Sequence, residues 1–222
     1  MASSSRGDIE GIGRRQRVAR MSGATGIGLI DAAAAGDIDG LRALLETSEP
    51  DLNVRDSRGR TALMAATYAN QPEAVALLLD AGADVDLQDD MLNNPFLYAG
   101  AEGLMEILKL THQAGADPTI RNRYGGVAII PASEKGHLDA VVYLLEETEV
   151  DVNHINDLGW TALLEAIILT DGGPVHQQIV AKLIAHGADV RIADGDGVTP
   201  LDHARQRGYR EIEAQLLAAG TE

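Results

Sequence analysis

The residues best equipped for chemistry are six histidines, at positions 112, 137, 154, 176, 186 and 203, set among 34 acidic residues in a chain of 222. Such side chains move protons or hold metals when their spacing brings them together. Here no two histidines form an HExxH or another close metal pair. There is no cysteine, so thiolate sites, disulfides and Cys nucleophiles are excluded. His137 follows Gly136 in a turn, His154 is expected in a short strand, and His203 beside Asp202 and Arg205 reads as a surface network. The carboxylates follow a period instead: Asp84, Asp117, Asp151 and Asp189 are one position seen four times, suited to hydrogen bonding within a turn. No buried acid–base pair is expected.

Two loops invite a ligand reading and fail it. The stretch around Gly23, Gly26 and Gly28 is neither GxGxxG after a strand nor GxxxxGK[ST]. "DGDG" at 194–197 lacks the bidentate Glu that a calcium loop places about eight residues later, so it reads as a turn. No cofactor, no metal and no catalytic residue are expected.

The elements that carry these residues repeat. Residues 56–88 and 89–121 are both 33 long; 122–155 and 156–193 follow with one and five extra residues, and 194–220 ends the array. A degenerate first copy spans about 22–55. Each segment opens on a turn, with Gly59, Gly125, Gly159 and Gly197 in one register where positive φ is expected. Thr61, Thr161 and Thr199 share an N-cap register, and Pro200 suits a first helical position. A short apolar helix follows, then a turn at Asn70, Gly103, Gly136 or Gly208. A second helix shows Val75, Leu78 and Leu79, then Val141, Leu144 and Leu145, then Val180, Leu183 and Ile184, at helical spacing. Gly82, Gly115 and Gly187 close it. A single segment buries neither helix alone, so neighbours must stack.

This layout resembles the ankyrin repeat. The family's T-P-L-H-x-A signature appears as "TPLDHA" at Thr199–Ala204 and as "TALMAA" at Thr61–Ala66, and "GADV" and "GADP" match its repeat ends. The resemblance covers about 200 residues and implies an all-α fold, an ankyrin-repeat solenoid of about six helix-turn-helix units with short β-hairpin-like loops. Residues 1–21 are set apart as a disordered basic leader, with Arg6, Arg14, Arg15, Arg17 and Arg20 against Asp8 and Glu10. The repeat domain is expected over 22–222.

Departures from the pattern locate weakness. Leu92 stands where Gly is expected and Asn94 where Thr is expected. Val127 replaces the capping Thr, and Pro131 is expected to remove a helix hydrogen bond. The fourth copy, 122–155, should therefore be the weak middle of the array. The insertion at Thr170–Gln178 reads as a tolerated extension of an inter-helix turn, with Pro174 starting the next helix.

The resemblance implies partner binding through hairpin tips and the exposed face of the first helices. By register this assigns Arg58, Arg60, Tyr68, Met91, Leu92, Tyr124, Leu158 and Trp160. Met91, Leu92, Tyr124, Leu158 and Trp160 form an apolar series along one projected edge, and such patches mark partner sites. The alternative for Leu158 and Trp160 is packing between neighbouring tips. The net charge of −16 disfavours nucleic acid and favours a protein partner with a cationic surface. No stretch is long and apolar enough for a membrane span, and no secretory signal is evident, so a cytoplasmic monomer with no membrane partner is expected. The expected function is a non-enzymatic protein–protein interaction scaffold. The alternative is a dedicated inhibitor, immunity or stabilising subunit of one cognate enzyme.

Overall fold

The computed structural model describes residues 26–47 and 50–220. The basic leader and Gly23 lie outside the described residues. The chain divides into two compact units, Met1–Asp90 and Met91–Glu222. In the first, α1 spans 26–35, followed by α2 (Ile38–Thr47), α3 (Ala62–Tyr68) and α4 (Pro72–Asp80). The second holds α5 (Pro95–Ala101), α6 (Met105–Gln113), α7 (Ile129–Glu134), α8 (Leu138–Glu147), α9 (Ala162–Ile168), α10 (Pro174–Ala185), α11 (Pro200–Arg207) and α12 (Arg210–Ala219). Within this unit the first helices of each pair, α5, α7, α9 and α11, pack in one row, and α6, α8, α10 and α12 pack in another. None of these helices is long and apolar enough to cross a membrane.

The two rows differ for a sequence reason. Three of the first helices, α3, α5 and α9, are largely apolar around their circumference, and such helices belong inside, whereas the polar α11 buries only Pro200 and Ala204. Six residues of α3, Ala62 to Thr67, are buried, as are Ala162 to Ile167 of α9. Second helices bury one stripe. Ala74, Val75 and Leu78 in α4 and Ala140, Val141 and Leu144 in α8 are enclosed, as are Ile179, Val180 and Leu183 in α10. Leu79, Leu145 and Ile184, which share the expected stripe, are only half-buried, because Ala74, Ala140 and Ile179 take the inner position.

The caps follow the sequence register. Thr61, Thr161 and Thr199 each accept the amide of the third residue onward at 3.2 Å. Asn94 supplies the same cap, since its Oδ1 accepts from Leu97 N at 2.8 Å, but its buried Nδ2 finds no hydrogen-bond partner among the described residues. Val127 offers no acceptor, and α7 begins later and is the shortest helix, with six residues. The bond that opens the sister helices, such as Ala65 N to Thr61 O at 2.9 Å, has no counterpart at Pro131, whose nitrogen has no hydrogen. A tighter turn, Ile130 N to Val127 O at 3.0 Å, replaces it.

Four hairpin-like turns share one device. Asp56, Asn122, Asn156 and Asp194 each accept two amides through Oδ1, from the residues two and four further on, at 2.8–3.0 Å. The glycine three residues on has φ of 71–79° in each. Leu92 occupies this glycine register with φ 57°, a region that costs a residue with a Cβ about 1–2 kcal/mol. Asp84, Asp117, Asp151 and Asp189 likewise accept the amide two residues on. No described residue forms a strand. His154, expected in one, lies in a loop because these local side-chain bonds satisfy the backbone in place of a ladder, and its Nε2 lies 2.7 Å from Gly125 O.

Two outcomes follow from these local defects. Amides of α7 are expected to exchange with solvent faster than those of α3 and α9, and Val127→Thr to raise the chemical denaturation midpoint by an amount equivalent to about 1 kcal/mol. Leu92→Gly should also stabilise, by a net gain of up to about 1 kcal/mol, because relief of strain exceeds the extra freedom of Gly in the unfolded chain.

Candidate protein-binding groove

The second unit holds a groove of about 470 Å³ between its turn tips and its first helices. Met91, Tyr124 and Leu158 come from the tips, Tyr98, Ile130, Glu134 and Glu165 from α5, α7 and α9, and Glu102, Lys135 and Leu169 from the C-caps of those three helices. The tips are apolar and outward: Met91 is 46% exposed, Leu92 46%, Tyr124 49% and Leu158 52%. Trp160 is half-buried and does not line the groove. Its amide is held by Asn156 and its carbonyl accepts from Asn156 N at 3.0 Å, which fixes it at the inner leg of the turn. Leu92 also lies outside the groove lining.

The tips are braced against one another. Asp157 N donates to Tyr124 O at 2.8 Å. The Arg123 guanidinium lies 4.7 Å from the Tyr124 ring centroid and its Nη1 is 3.7 Å from Met91 Sδ. At the back, Lys135 Nζ pairs with Glu102 Oε1 at 2.5 Å.

The remaining residues assigned by register lie in the first unit. Arg58 is exposed. Arg60 is tied to Asp56, with Nη2–Oδ2 at 2.6 Å and Nε–Oδ2 at 2.8 Å, so its guanidinium closes its own turn. Partial burial opposes ionisation of Asp56, but the Arg60 guanidinium and the Arg60 and Arg58 amides outweigh it and hold the carboxyl below its ordinary pKa. Tyr68 is half-buried and donates its hydroxyl to Asp89 Oδ2 at 2.6 Å.

One residue escapes the sequence reading. Glu165 of α9 is 5% exposed yet lines the groove. Asn156 Nδ2 donates to its Oε1 at 2.8 Å. Burial pushes its pKa from the ordinary 4.5 to about 7; the Glu134 charge adds to the rise and the Asn156 bond opposes it. A signal was present in the register: nine residues after the turn Asx stand Ala65, Pro131, Glu165 and His203. His203 uses that position in the same way, with Nε2 2.7 Å from Asp194 Oδ2 and Nδ1 3.2 Å from Arg207 Nη1. The expected network around His203 therefore forms with Asp194 and Arg207 rather than with Asp202 and Arg205. Asp202 is engaged in the capping box with Thr199, and Arg205 pairs with Glu213.

The histidines are otherwise structural. Burial lowers the His137 pKa, and its ring fills the space over Gly103. The insertion after α9 is anchored at both ends: Tyr209 donates to Thr170 O at 2.6 Å and His176 Nε2 lies 3.0 Å from Glu134 O. Among the described residues no group of three His, Asp or Glu is placed to hold a metal ion.

The family model described as ankyrin repeats (3 copies) matches residues 27–89, 96–194 and 129–222. The chain belongs to the ankyrin repeat family. Its fold is the all-α ankyrin-repeat solenoid class, and the family's repeats are protein–protein interaction modules. It is similar to ankyrin repeat protein YahD of Escherichia coli (strain K12), 44% identical over 189 residues, 85% of this chain and 94% of that one. It is also similar to an ankyrin repeat domain from Acinetobacter baumannii AYE, at 52% identity and TM-score 0.84, covering 86% of this chain and 97% of that one. The ankyrin repeat protein EF0377 follows at 41% identity and TM-score 0.83, with 86% and 96% covered.

The buried carboxyl sets a pH dependence with a definite sign. Glu165 has a folded pKa above its unfolded one, so its contribution to stability is complete below pH 4.5 and is lost as pH rises through about 7. His137, with a depressed pKa, works in the opposite sense. The readout is therefore the difference between wild type and Glu165→Gln in urea denaturation at pH 5 and pH 8. Wild type is expected to lose on the order of 1–3 kcal/mol relative to the variant across that interval.

Proposed function

We propose that this chain is a non-enzymatic binding module for one protein partner, acting as a cytoplasmic monomer, and that the partner seats in the groove of the second unit. The observation that carries the reading is the set of exposed apolar tips, Met91, Tyr124 and Leu158, aligned over one groove. Exposed large apolar groups clustered at one place are what partner sites require. Tyr at such a place supplies contact area with little rotamer entropy to lose. Family membership supports the same reading, since ankyrin repeats bind proteins. The excess of acidic over basic residues favours a partner with a cationic surface and opposes nucleic acid and anionic membrane surfaces.

Arg58 and Tyr68 are retained in the proposal as peripheral contacts of the first unit. Arg60 and Trp160 are assigned to holding their own turns, on the bonds described above.

The test is affinity capture from a lysate of the source cell with wild type and with Tyr124→Ala/Leu158→Ala, folding checked by circular dichroism. One protein retained by wild type and depleted at least tenfold by the variant is the expected result. Equal retention by both, or capture of nothing, overturns the reading. If the captured protein is an enzyme, its activity with and without this chain decides between a scaffold and a dedicated inhibitor.

A further inference from the structure

Glu165 is an uneconomical residue for a groove floor unless something uses its charge. Its side chain is 95% removed from solvent, and a buried carboxylate costs several kcal/mol unless its oxygens are paired. Only Oε1 is paired, with Asn156 Nδ2. Oε2 accepts no hydrogen bond from the described residues and is not sealed within the core, which leaves it the unpaired oxygen of a groove-lining residue.

Nor do the described residues supply a cation. Among charged groups on and beside the elements around α9, Lys135 at the C-cap of α7 is held by Glu102, and Lys182 of α10 faces Glu146. His176 of α10 is bound to the Glu134 carbonyl, His203 of α11 to Asp194, and Arg207 to the Ile168 carbonyl. Arg123 lies over Tyr124 at the tip. The charge that acts on Glu165 is that of Glu134, and it repels. Two carboxyls thus stand together under an apolar rim with no positive partner among the described residues.

We infer that the groove takes a single basic side chain of the partner, an arginine or lysine flanked by apolar residues, with its charged head between Glu165 and Glu134 and its aliphatic stem against Leu158 and Tyr124. The inference deepens the proposed function and rests on it. The chemistry fits the shape: a long basic side chain carries an apolar stem and a charged tip, and the groove is apolar at its mouth and acidic at its floor. A carboxylate that accepts a charge-assisted hydrogen bond there gains a partner in a site that already excludes most water. The neutral acid cannot do so, so the complex selects the ionised form and binding releases a proton.

The experiment uses the full chain and a phage-displayed library of random dodecapeptides, selected at pH 8 against wild type and against Glu165→Gln. The glutamine keeps an oxygen for Asn156 Nδ2, and its fold is checked by thermal denaturation. Peptides selected on wild type are expected to carry one basic position between apolar ones, with that preference gone on the variant. Kd of a selected peptide, measured by fluorescence anisotropy, should weaken about tenfold from pH 8 to pH 6, since a group titrating near 7 is mostly ionised at the first and mostly protonated at the second. On Glu165→Gln the peptide should bind more weakly and with no such change. Apolar peptides without a basic position, or the same basic preference on both proteins, would overturn the charge inference and leave the groove as a binding site. No enrichment on either protein, or enrichment unaffected by Tyr124→Ala/Leu158→Ala, would remove the groove itself and the proposed function with it.

Discussion

The tips are held by one side-chain oxygen. In each of four turns, an Asp or Asn places Oδ1 against two amides of its own loop, while its backbone N–H pairs with the carbonyl four residues on at 2.9–3.0 Å. The turn then needs no partner strand, because its inward donors are already satisfied. A glycine at positive φ completes the reversal, and the same oxygen geometry fixes where the following cap and first helix begin. The tip residues between these anchors, Tyr124 and Leu158 among them, have no inward route. They stand outward because the Asx has taken the inside of the turn.

The second atom of each Asx side chain is what individualises a repeat. Asp56 spends its Oδ2 on Arg60, Asp194 on His203, and Asn156 turns a donor to Glu165. The exchange of Asp for Asn at 156 is the condition for a glutamate nine residues later: an aspartate there would set two carboxyls against each other, whereas the amide donates. A buried carboxyl is thus tied to the turn that carries Leu158, and the floor of the groove and its rim are one hydrogen-bonded piece.

Much of the fold was legible because its signals are local. Glycine at positive φ, Thr at an N-cap and apolar residues at helical spacing each act within a few residues, and recurrence at a near-constant step multiplies them. Asn70 in the inter-helix turn shows the same logic, with φ 51° in a register otherwise held by glycine. The missing acceptor at Val127 and the missing donor at Pro131 were legible too, and α7 has no side-chain cap and only six residues. What the sequence hid depends on packing. Whether Trp160 projects or lies half-buried is set by the Asn156 bonds on its two backbone groups, not by its register alone. The environment of Glu165 is set by α7 beside it, which brings Glu134 to the same floor. An amphipathic pattern cannot announce such a residue, because a glutamate in a first helix looks like a solvated one until its neighbours are in place.

Rigidity is what suits the proposed surface to selecting a partner. Association loses translational freedom and orders side chains, so a loop that is already fixed binds at lower cost than one that must be folded on contact. Here the loops are braced twice, inside each turn by the Asx oxygen and between turns by the Asp157 amide on the Tyr124 carbonyl. Leu92 fits the same account. Its backbone is strained at φ 57° and its side chain is 46% exposed, so burial of that side chain offsets the strain only in part. A glycine would relieve it but would loosen the loop and remove an apolar contact. The strained leucine keeps the tip beside Met91 apolar and restricted in conformation, which is the property a preformed docking surface needs.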